Sequence, residues 1–186
     1  FSTMKVILMG YCLIVLIGTF LLMLPAATNQ ARGTPLIDAF FTATSAACVT
    51  GLVPYDTFTH WSLFGQLTIL VLIQIGGIGF MTIAISIIAL TKHKIGLSSR
   101  VLMQESVAAP QVGGIVRMTK MIFTGTVICE GIGAFLLSFF FCPKLGLWKG
   151  IYFSVFHAVS AFCNAGFDLM GIIEPTSSLT SLGANW

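Results

Sequence analysis

Three long apolar runs dominate the hydropathy pattern of the chain. Residues 6–24 contain no charged side chain, residues 57–91 contain no Asp, Glu, Lys or Arg, and residues 121–141 contain only Glu130. A helix rising about 1.5 Å per residue needs about 20 apolar residues to cross a hydrocarbon core of roughly 30 Å. The pattern therefore predicts three membrane-spanning helices, the second of them from about residue 61 to residue 90.

The pattern also contains a repeat, because a short segment of small residues occurs twice. "FTATSAACVTGL" at residues 41–52 is similar to "FHAVSAFCNAGF" at residues 156–167. A shift of 115 positions gives six identities within the eleven positions 41–51. Each copy ends with an uncharged stretch that contains one glycine, Gly51 or Gly166. The chain is therefore interpreted as a duplication.

Each copy of the repeat is predicted to begin with a short helix. In the first copy Thr34 is expected at the N-cap, Pro35 at the first helical position and Asp38 near the first turn. A helix from there to about Ala47 would be roughly 20 Å long, which is too short to span. The second short helix is expected at residues 148–161. After each helix we expect an extended, glycine-containing segment.

A span, a short helix, a glycine segment and a second span form a re-entrant pore loop. Irregular backbone at membrane depth is tolerated only where it is buried in protein or lines a water-filled path. Carbonyl oxygens on such a segment can replace the water shell of a cation, and the helix C-terminus carries about −0.5 of a charge. The sequence thus predicts an ion filter that coordinates a cation through backbone carbonyls. Its residues are Cys48, Val49, Thr50, Gly51, Cys163, Asn164, Ala165 and Gly166.

The composition agrees with a membrane protein and excludes several other classes. Hydrophobic residues make up 56% of the 186 and charged residues 8%, with a mean hydropathy of +0.99. Soluble domains carry about 25% charged residues. The net charge of +3 is small and its cations lie beside apolar runs, so no nucleic-acid binding is expected. The cysteines are five in number and two lie within apolar runs, so neither a disulfide framework nor a zinc site is expected.

The distribution of cations predicts the orientation of the chain. The segment between the second and third apolar runs contains several Lys and Arg residues but only one acidic residue, Glu105. The group comprises Lys92, Lys94, Arg100, Arg117 and Lys120. Because positively charged connections stay in the cytoplasm, residues 92–120 are predicted to be cytoplasmic and both pore loops to begin on the outer side.

Several motifs in order resemble one known family. "ATSAACVTGL" and "FHAVSAFCNAGF" resemble its first two filter loops, and "LIQIGGIGFMTI" resembles a glycine-rich span. "KHKIGL" and "SRVLMQESV" are similar to its cytoplasmic linker. Over essentially its whole length the chain resembles the membrane subunits of the Ktr/Trk/HKT superfamily of K⁺ transporters, most of all the KtrB/TrkH type.

The resemblance implies an all-α membrane protein of fused span–pore-loop–span repeats. Residues 1–91 would form the first unit, 92–120 a cytoplasmic linker, and 121–186 most of a second unit. The chain is accordingly interpreted as an N-terminal piece of a four-unit protein. The implied function is potassium uptake across the plasma membrane, often as Na⁺ symport. K⁺, with Na⁺ in some members, is the transported ion, and no cofactor is expected. The implied partners are the lipid bilayer, a second copy of the full-length protein and a cytoplasmic nucleotide-binding ring of the RCK type.

Two alternatives to a transporter remain. One is a subunit of a two-span tetrameric cation channel, although the two loops differ (Val49-Thr50 against Asn164-Ala165). The other is a membrane-embedded hydrolase that uses Ser160 or Cys163 with His157. No G-x-S-x-G turn surrounds Ser160 and the first copy lacks the histidine, so a non-enzyme is favoured.

The side chains of several polar residues, together with a group of glycines, are expected to stabilise the fold and not to bind ions. Glu130 is costly within a span and is expected to bond to a pore helix, while Gln74 is expected to bond between helices. His157 is interpreted as a packing residue and the Thr50 hydroxyl as a stabiliser of its loop. A second set of residues is expected to allow close helix packing, namely Gly76, Gly77 and Gly79.

Overall fold

The computed structural model describes residues 3–30, 33–79 and 115–172. These residues are mostly helical, and within them the only β-pairing is an isolated bridge between Thr28 and Trp61. Short 3₁₀ turns lie at Pro25–Ala27 and Met170–Ile172. The helices are α1 (Thr3–Met23), α2 (Leu36–Ala47), α3 (Thr57–His60), α4 (Leu63–Ile78), α5 (Ile115–Leu145) and α6 (Leu147–Phe162).

The first and third predicted spans correspond to α1 and α5. Helix α1 stops at Met23, and Pro25 then begins a 3₁₀ turn, since proline has no N–H to continue an α-helix. Helix α5 begins at Ile115, ahead of the predicted start at residue 121. Within the described residues, Lys120–Leu145 is the one helix long and apolar enough to cross a membrane, while Ile7–Met23 and Leu63–Ile78 are shorter apolar helices.

The second predicted span begins later than expected. The Ser62 hydroxyl accepts the N–H of Gly65 at 3.3 Å, which caps α4 and places its first residue at Leu63. Trp61 precedes the helix, forms the β-bridge with Thr28, and is buried. Helix α4 ends at Ile78, and the next residue, Gly79, has a left-handed φ of +84°. The expected continuation to residue 90 lies outside the described residues.

The two short helices are present, with small shifts at their ends. Pro35, not Thr34, occupies the N-cap of α2, because its ψ of 147° is extended and leaves Leu36 as the first helical residue. The Thr34 hydroxyl instead lies 2.9 Å from His60 Nε2. Helix α6 extends one residue beyond the predicted range at each end. Both short helices therefore agree closely with the repeat.

The packing brings both short helices onto α4. Helix α1 packs on α2, α5 packs on α6, and α4 contacts both short helices. Ala39, Ala43 and Ala46 on α2 are fully buried, so this helix approaches its neighbours with its small residues. Ile69 and Ile73 of α4 are also fully buried in the same core. This arrangement places the segments that follow α2 and α6 close together.

The outer surfaces of α1 and α5 are apolar. Leu16 and Phe20 on α1 are 60% and 66% exposed, and Phe135 and Phe139 on α5 are 63% and 66% exposed. Contiguous apolar surface of this kind marks contact with a membrane or a partner. The described part of the chain is therefore an all-helical structure with a lipid-compatible exterior, as the composition predicts.

Candidate functional site

Helix α2 ends in a turn in which two carbonyl groups of its last turn accept hydrogen bonds from the residues that follow the helix. The N–H of Thr50 donates to Ser45 O at 3.0 Å, and the N–H of Val49 donates to Ala46 O at 3.3 Å. This pair of bonds is a Schellman motif, which needs a residue in the left-handed conformation just after the helix. Residues 48–52, which follow α2, are called the first loop below.

Helix α6 ends in the same turn, 115 residues later. The N–H of Ala165 donates to Ser160 O at 2.7 Å, and the N–H of Asn164 donates to Ala161 O at 3.0 Å. Residues 163–167 are called the second loop below. Every donor and acceptor of the first turn has its equivalent here, so the sequence repeat is also a repeat of backbone hydrogen bonds.

Four residues of the two loops have positive φ. Gly51 and Gly166 lie at +76° and +72°, as the sequence indicated. Val49 and Asn164 both lie at +57°. The prediction that both segments are extended is therefore wrong at Val49 and at Asn164, because the Schellman bonds require a left-handed residue at each of these positions. Asparagine tolerates this conformation, whereas a β-branched valine is strained in it.

The structure brings the two loops into contact at their glycines. A Cβ atom on Gly51 would lie 2.7 Å from the Ala165 carbonyl oxygen and 3.4 Å from Gly166 Cα. A Cβ atom on Gly166 would lie 3.3 Å from Gly51 Cα. Two backbone segments can approach this closely only where side chains are absent. Both predicted glycines are therefore required by their conformation and by their neighbours.

The two predicted cysteines differ in their surroundings. Cys48 is the C-cap of α2 and is exposed, whereas Cys163 is the C-cap of α6 and is half-buried. Cys163 lies against α4 at Gly77, where a Cβ atom would overlap its Sγ. The structure thus brings Cys163 into contact with α4.

Hydroxyl groups tie each loop to its short helix. In the first loop Thr50 Oγ1 donates to Ser45 Oγ at 2.9 Å, so the expected stabilising hydrogen bond of Thr50 is present. In the second copy the equivalent serine, Ser160, donates to Phe167 O at 2.5 Å. Each serine therefore holds its loop, although the two use different partners.

His157 has a structural environment that accounts for both ring nitrogens. Its Nδ1 lies 2.8 Å from Phe153 O, and its Nε2 accepts the N–H of Leu169 at 3.2 Å. In the first copy the equivalent Thr42 donates to the equivalent carbonyl, Asp38 O, at 2.8 Å. The imidazole is thus a buried packing residue, and because Ser160 donates elsewhere, the two side chains form no nucleophile–base pair.

The α4 glycines make room for the ends of the short helices. A Cβ atom on Gly76 would overlap Ala47 O, and one on Gly77 would lie 2.7 Å from Cys163 Cβ. The predicted close packing is therefore present, and the partners are the last residue of α2 and the first residue of the second loop. Gly79 differs, since its left-handed φ ends the helix. The sequence signal for these contacts was the glycine cluster, which does not identify what it packs against.

Glu130 and Gln74 join α5 to α4. Gln74 Nε2 donates to both carboxylate oxygens of Glu130, at 2.9 Å and 3.0 Å. The expected inter-helix bond of Gln74 is confirmed, but the expected bond of Glu130 to a short helix is wrong. Because both helices are apolar around most of their circumference, the sequence did not indicate that these two residues face each other. Gln74 Oε1 is buried and has no hydrogen-bond partner within the described residues.

The contact between Glu130 and Gln74 predicts the effect of removing each partner. Glu130→Gln keeps an acceptor for Gln74, so transport and the thermal midpoint of the purified protein should stay near wild type. Glu130→Leu should destabilise by about 1–3 kcal/mol, because it leaves a buried donor unsatisfied. The double variant Gln74→Leu/Glu130→Leu should recover much of that loss. Loss of uptake in a well-folded Glu130→Gln protein would show instead that the charge is needed.

The segments that leave the two loops also contact each other. The Asp56 carboxylate accepts the N–H groups of Phe58 at 3.0 Å and Thr59 at 2.8 Å, which caps α3, and it lies against Gly171. Burial raises the pKa of Asp168, an effect opposed by the N–H of Met170 and supported by the charge of Asp56. Sequence reasoning missed this contact, although an aspartate directly before α3 is a cap signal. Among the described residues no group of three His, Cys, Asp or Glu could hold a metal ion.

Comparison with known proteins gives one family across the chain. Residues 4–180 match the TrkH family, described as "Cation transport protein". The chain is 45% identical over 170 residues to the potassium/sodium uptake protein NtpJ of Enterococcus hirae, covering 91% of this chain and 38% of the relative. It is 46% identical over 171 residues to the Ktr system potassium uptake protein B of Bacillus subtilis, again covering 91% and 38%.

A third relative extends the match to almost the whole chain. The Ktr system potassium uptake protein B of Vibrio alginolyticus is 34% identical over 185 residues, covering 96% of this chain and 40% of that protein. The chain thus spans about two fifths of the length of these relatives. The family match extends over both short helices and both loops, and the chain belongs to the TrkH family of cation transport proteins.

Proposed function

We propose that this chain is part of the ion-translocating subunit of a potassium uptake system in the plasma membrane. Its family is one of cation transport, and the relatives named above are uptake proteins for potassium, or for potassium and sodium. Residues 1–91 form a first span–pore-loop–span unit, residues 92–120 a cytoplasmic linker, and residues 121–186 most of a second unit. The function is transport and not catalysis.

The observation that carries this proposal is the pair of equivalent loops that meet at Gly51 and Gly166. Each loop follows a short helix that ends in the same Schellman turn, and each contains a glycine with positive φ. Neither loop contains a charged residue, and we propose that the backbone carbonyls are the ligands of the cation. The proposed filter consists of Cys48, Val49, Thr50, Gly51, Cys163, Asn164, Ala165 and Gly166.

The C-terminal ends of the two short helices favour a cation beside the two loops. Helices α2 and α6 end at Ala47 and Phe162, directly before the two loops. A helix C-terminus carries about −0.5 of a charge, and this effect is strongest within the last turn. Two such ends beside one another favour a cation without any carboxylate. K⁺ is the proposed cargo, with Na⁺ as the competing or coupled ion.

The proposed partners follow from the relatives. Two of them are named as components of a Ktr system, which implies further subunits for those proteins. For the complete protein we propose a homodimer in the bilayer and a cytoplasmic nucleotide-binding ring of the RCK type. Co-purification of such a soluble subunit with the intact membrane protein tests this assignment, and its absence under conditions that preserve the dimer would argue against it.

Ion flux into vesicles tests the proposed function. The intact transporter, reconstituted with its soluble subunit into vesicles, should take up K⁺ in a saturable manner, and excess Na⁺ should compete weakly. Protein-free vesicles and vesicles with a heat-denatured sample are the controls. Flux that carries Na⁺ and K⁺ equally would contradict a potassium filter, and absence of any cation flux would contradict transport.

The proposed orientation gives a labelling prediction. Lys149 lies at the start of α6 and Lys5 at the start of α1, and both are exposed. In a variant without the native cysteines, a cysteine at 149 should react with a membrane-impermeant thiol reagent added outside intact cells. A cysteine at 5 should react only after the cells are opened. The reverse pattern would invert the topology.

A further inference from the structure

A groove of about 750 Å³ lies between the two repeat units. One wall carries Phe58 and Trp61, from the segment before α4, and the other carries Tyr152 and Phe153 of α6. Both walls thus belong to the described residues, and with Trp148 five aromatic side chains line the groove. The groove opens beside the start of α6, next to the end of the spanning helix α5.

The polar side chains that line the groove are already hydrogen-bonded within the protein. Gln66 Nε2 donates to Trp61 O at 2.8 Å, and Tyr152 Oη donates to Gln66 Oε1 at 2.9 Å. Asn29 Nδ2 donates to Thr59 O at 3.1 Å, and Thr59 Oγ1 donates to Asp56 Oδ1 at 3.0 Å. The interior of the groove therefore presents an apolar surface, and a hydrocarbon chain bound there needs no hydrogen bonds from it.

The rim of the groove combines an aromatic side chain with a cation. Trp148 is 86% exposed, and the exposed Lys149 is the one charged residue among those that line the groove. Lys149 has no ion-pair partner within residues 3–30, 33–79 and 115–172. The neighbouring Lys144, in contrast, lies with Nζ 3.8 Å from the centroid of the Phe140 ring. Exposed tryptophan and lysine side chains at helix ends are typical of the membrane interface.

We infer that this groove binds an anionic membrane phospholipid, with one acyl chain between the aromatic walls and its phosphate beside Lys149. The apolar interior and the single rim cation are complementary to the two ends of such a lipid. An extended protein segment fits less well, because its backbone N–H and C=O groups would find no free partners inside the groove. The inference rests on the membrane location of the chain and not on the identity of its cargo.

Photo-cross-linking in vesicles tests the assignment. The intact transporter is reconstituted with phosphatidylglycerol that carries a photoactivatable acyl chain, or with phosphatidylcholine that carries the same chain. After illumination, lipid adducts are mapped by mass spectrometry of the peptides. Phosphatidylglycerol should label the groove peptides around residues 58–66 and 147–153 more strongly than phosphatidylcholine does. Lys149→Gln should lower the phosphatidylglycerol labelling by about fivefold, the effect expected of one lysine near an anionic headgroup.

Two matched variants sharpen the test. Lys144→Gln removes a nearby cation that does not line the groove, and it should leave labelling unchanged. Leu63→Trp places a large side chain in the groove and should lower labelling by both lipids. Adducts found only outside the groove peptides would overturn the proposal, as would equal labelling by both lipids that is insensitive to Lys149→Gln. Potassium flux measured in the same vesicles separates these outcomes from a failure of the proposed function.

Discussion

Gly51→Ala should reduce the preference of the transporter for K⁺ over Na⁺ by about tenfold. Alanine at a φ of +76° costs about 1–2 kcal/mol, which is roughly 5- to 30-fold in an equilibrium constant. The new Cβ would also lie 2.7 Å from the Ala165 carbonyl oxygen, which belongs to the neighbouring loop. Both effects displace backbone carbonyls in the proposed filter while the charge stays the same. Competition of Na⁺ with K⁺ uptake measures the change.

The chain offers two comparisons for Gly51→Ala. Gly166→Ala has similar strain at a φ of +72°, but its nearest neighbour would be Gly51 Cα at 3.3 Å, so its effect on selectivity should be smaller. Gly146 has a φ of +82°, and an added Cβ there would meet no atom within 4 Å, so Gly146→Ala has the strain without the contact. It should lower stability and leave selectivity unchanged. Equal selectivity in Gly51→Ala and Gly146→Ala would place the filter elsewhere.

The parts of the fold that sequence could predict are those governed by local rules. The short helix α2 follows a proline and carries Asp38 in its first turn, and both loops contain a glycine that tolerates positive φ. These features act within a few residues of the chain, so they can be recognised in the sequence. The repeat strengthened the prediction for the two loops, because their glycines recur at a spacing of 115 residues, whereas the second short helix has neither the preceding proline nor an acidic first turn.

The conformation of Val49 could not be predicted from its residue type. A β-branched residue disfavours the left-handed region, and the sequence therefore indicated an extended segment. The helix-terminal bonds to Ser45 and Ala46 require the left-handed φ, and α4 packs against the same turn at Gly76. The tertiary contact overrides the local preference here, whereas Asn164 at the equivalent position meets no such conflict.

The pairing of α4 with its neighbours was hidden for a different reason. Gln74 and Glu130 are separated by 56 residues, and each lies in a helix that is apolar around most of its circumference. A uniform apolar run indicates a helix that is buried in protein or in a membrane, but it does not show which side faces which partner. The glycines at 76 and 77 indicated close approach, and only the structure identifies Ala47 and Cys163 as the neighbours.

Gly76→Ala should cause a larger loss of assembled protein than Gly77→Ala. The added Cβ would overlap the Ala47 carbonyl oxygen and lie 3.1 Å from Val49 Cγ2. A backbone carbonyl at a helix end cannot rotate away, so α4 must move from α2, at a cost of about 1–3 kcal/mol or more for overpacking. Uptake should fall with the amount of folded protein, measured by size-exclusion chromatography after graded heating.

Second-site variants separate a backbone contact from a side-chain contact. Gly77→Ala meets the Cys163 side chain, so the double variant Gly77→Ala/Cys163→Gly should regain much of the lost stability. Gly76→Ala/Val49→Ala should regain little, because the carbonyl of Ala47 remains in place. Gly125→Ala, on α5 with no atom within 4 Å of an added Cβ, should be neutral or slightly stabilising. If Val49→Ala restored Gly76→Ala fully, the limiting contact would be the valine side chain, and α4 would not be held at its present distance by the end of α2.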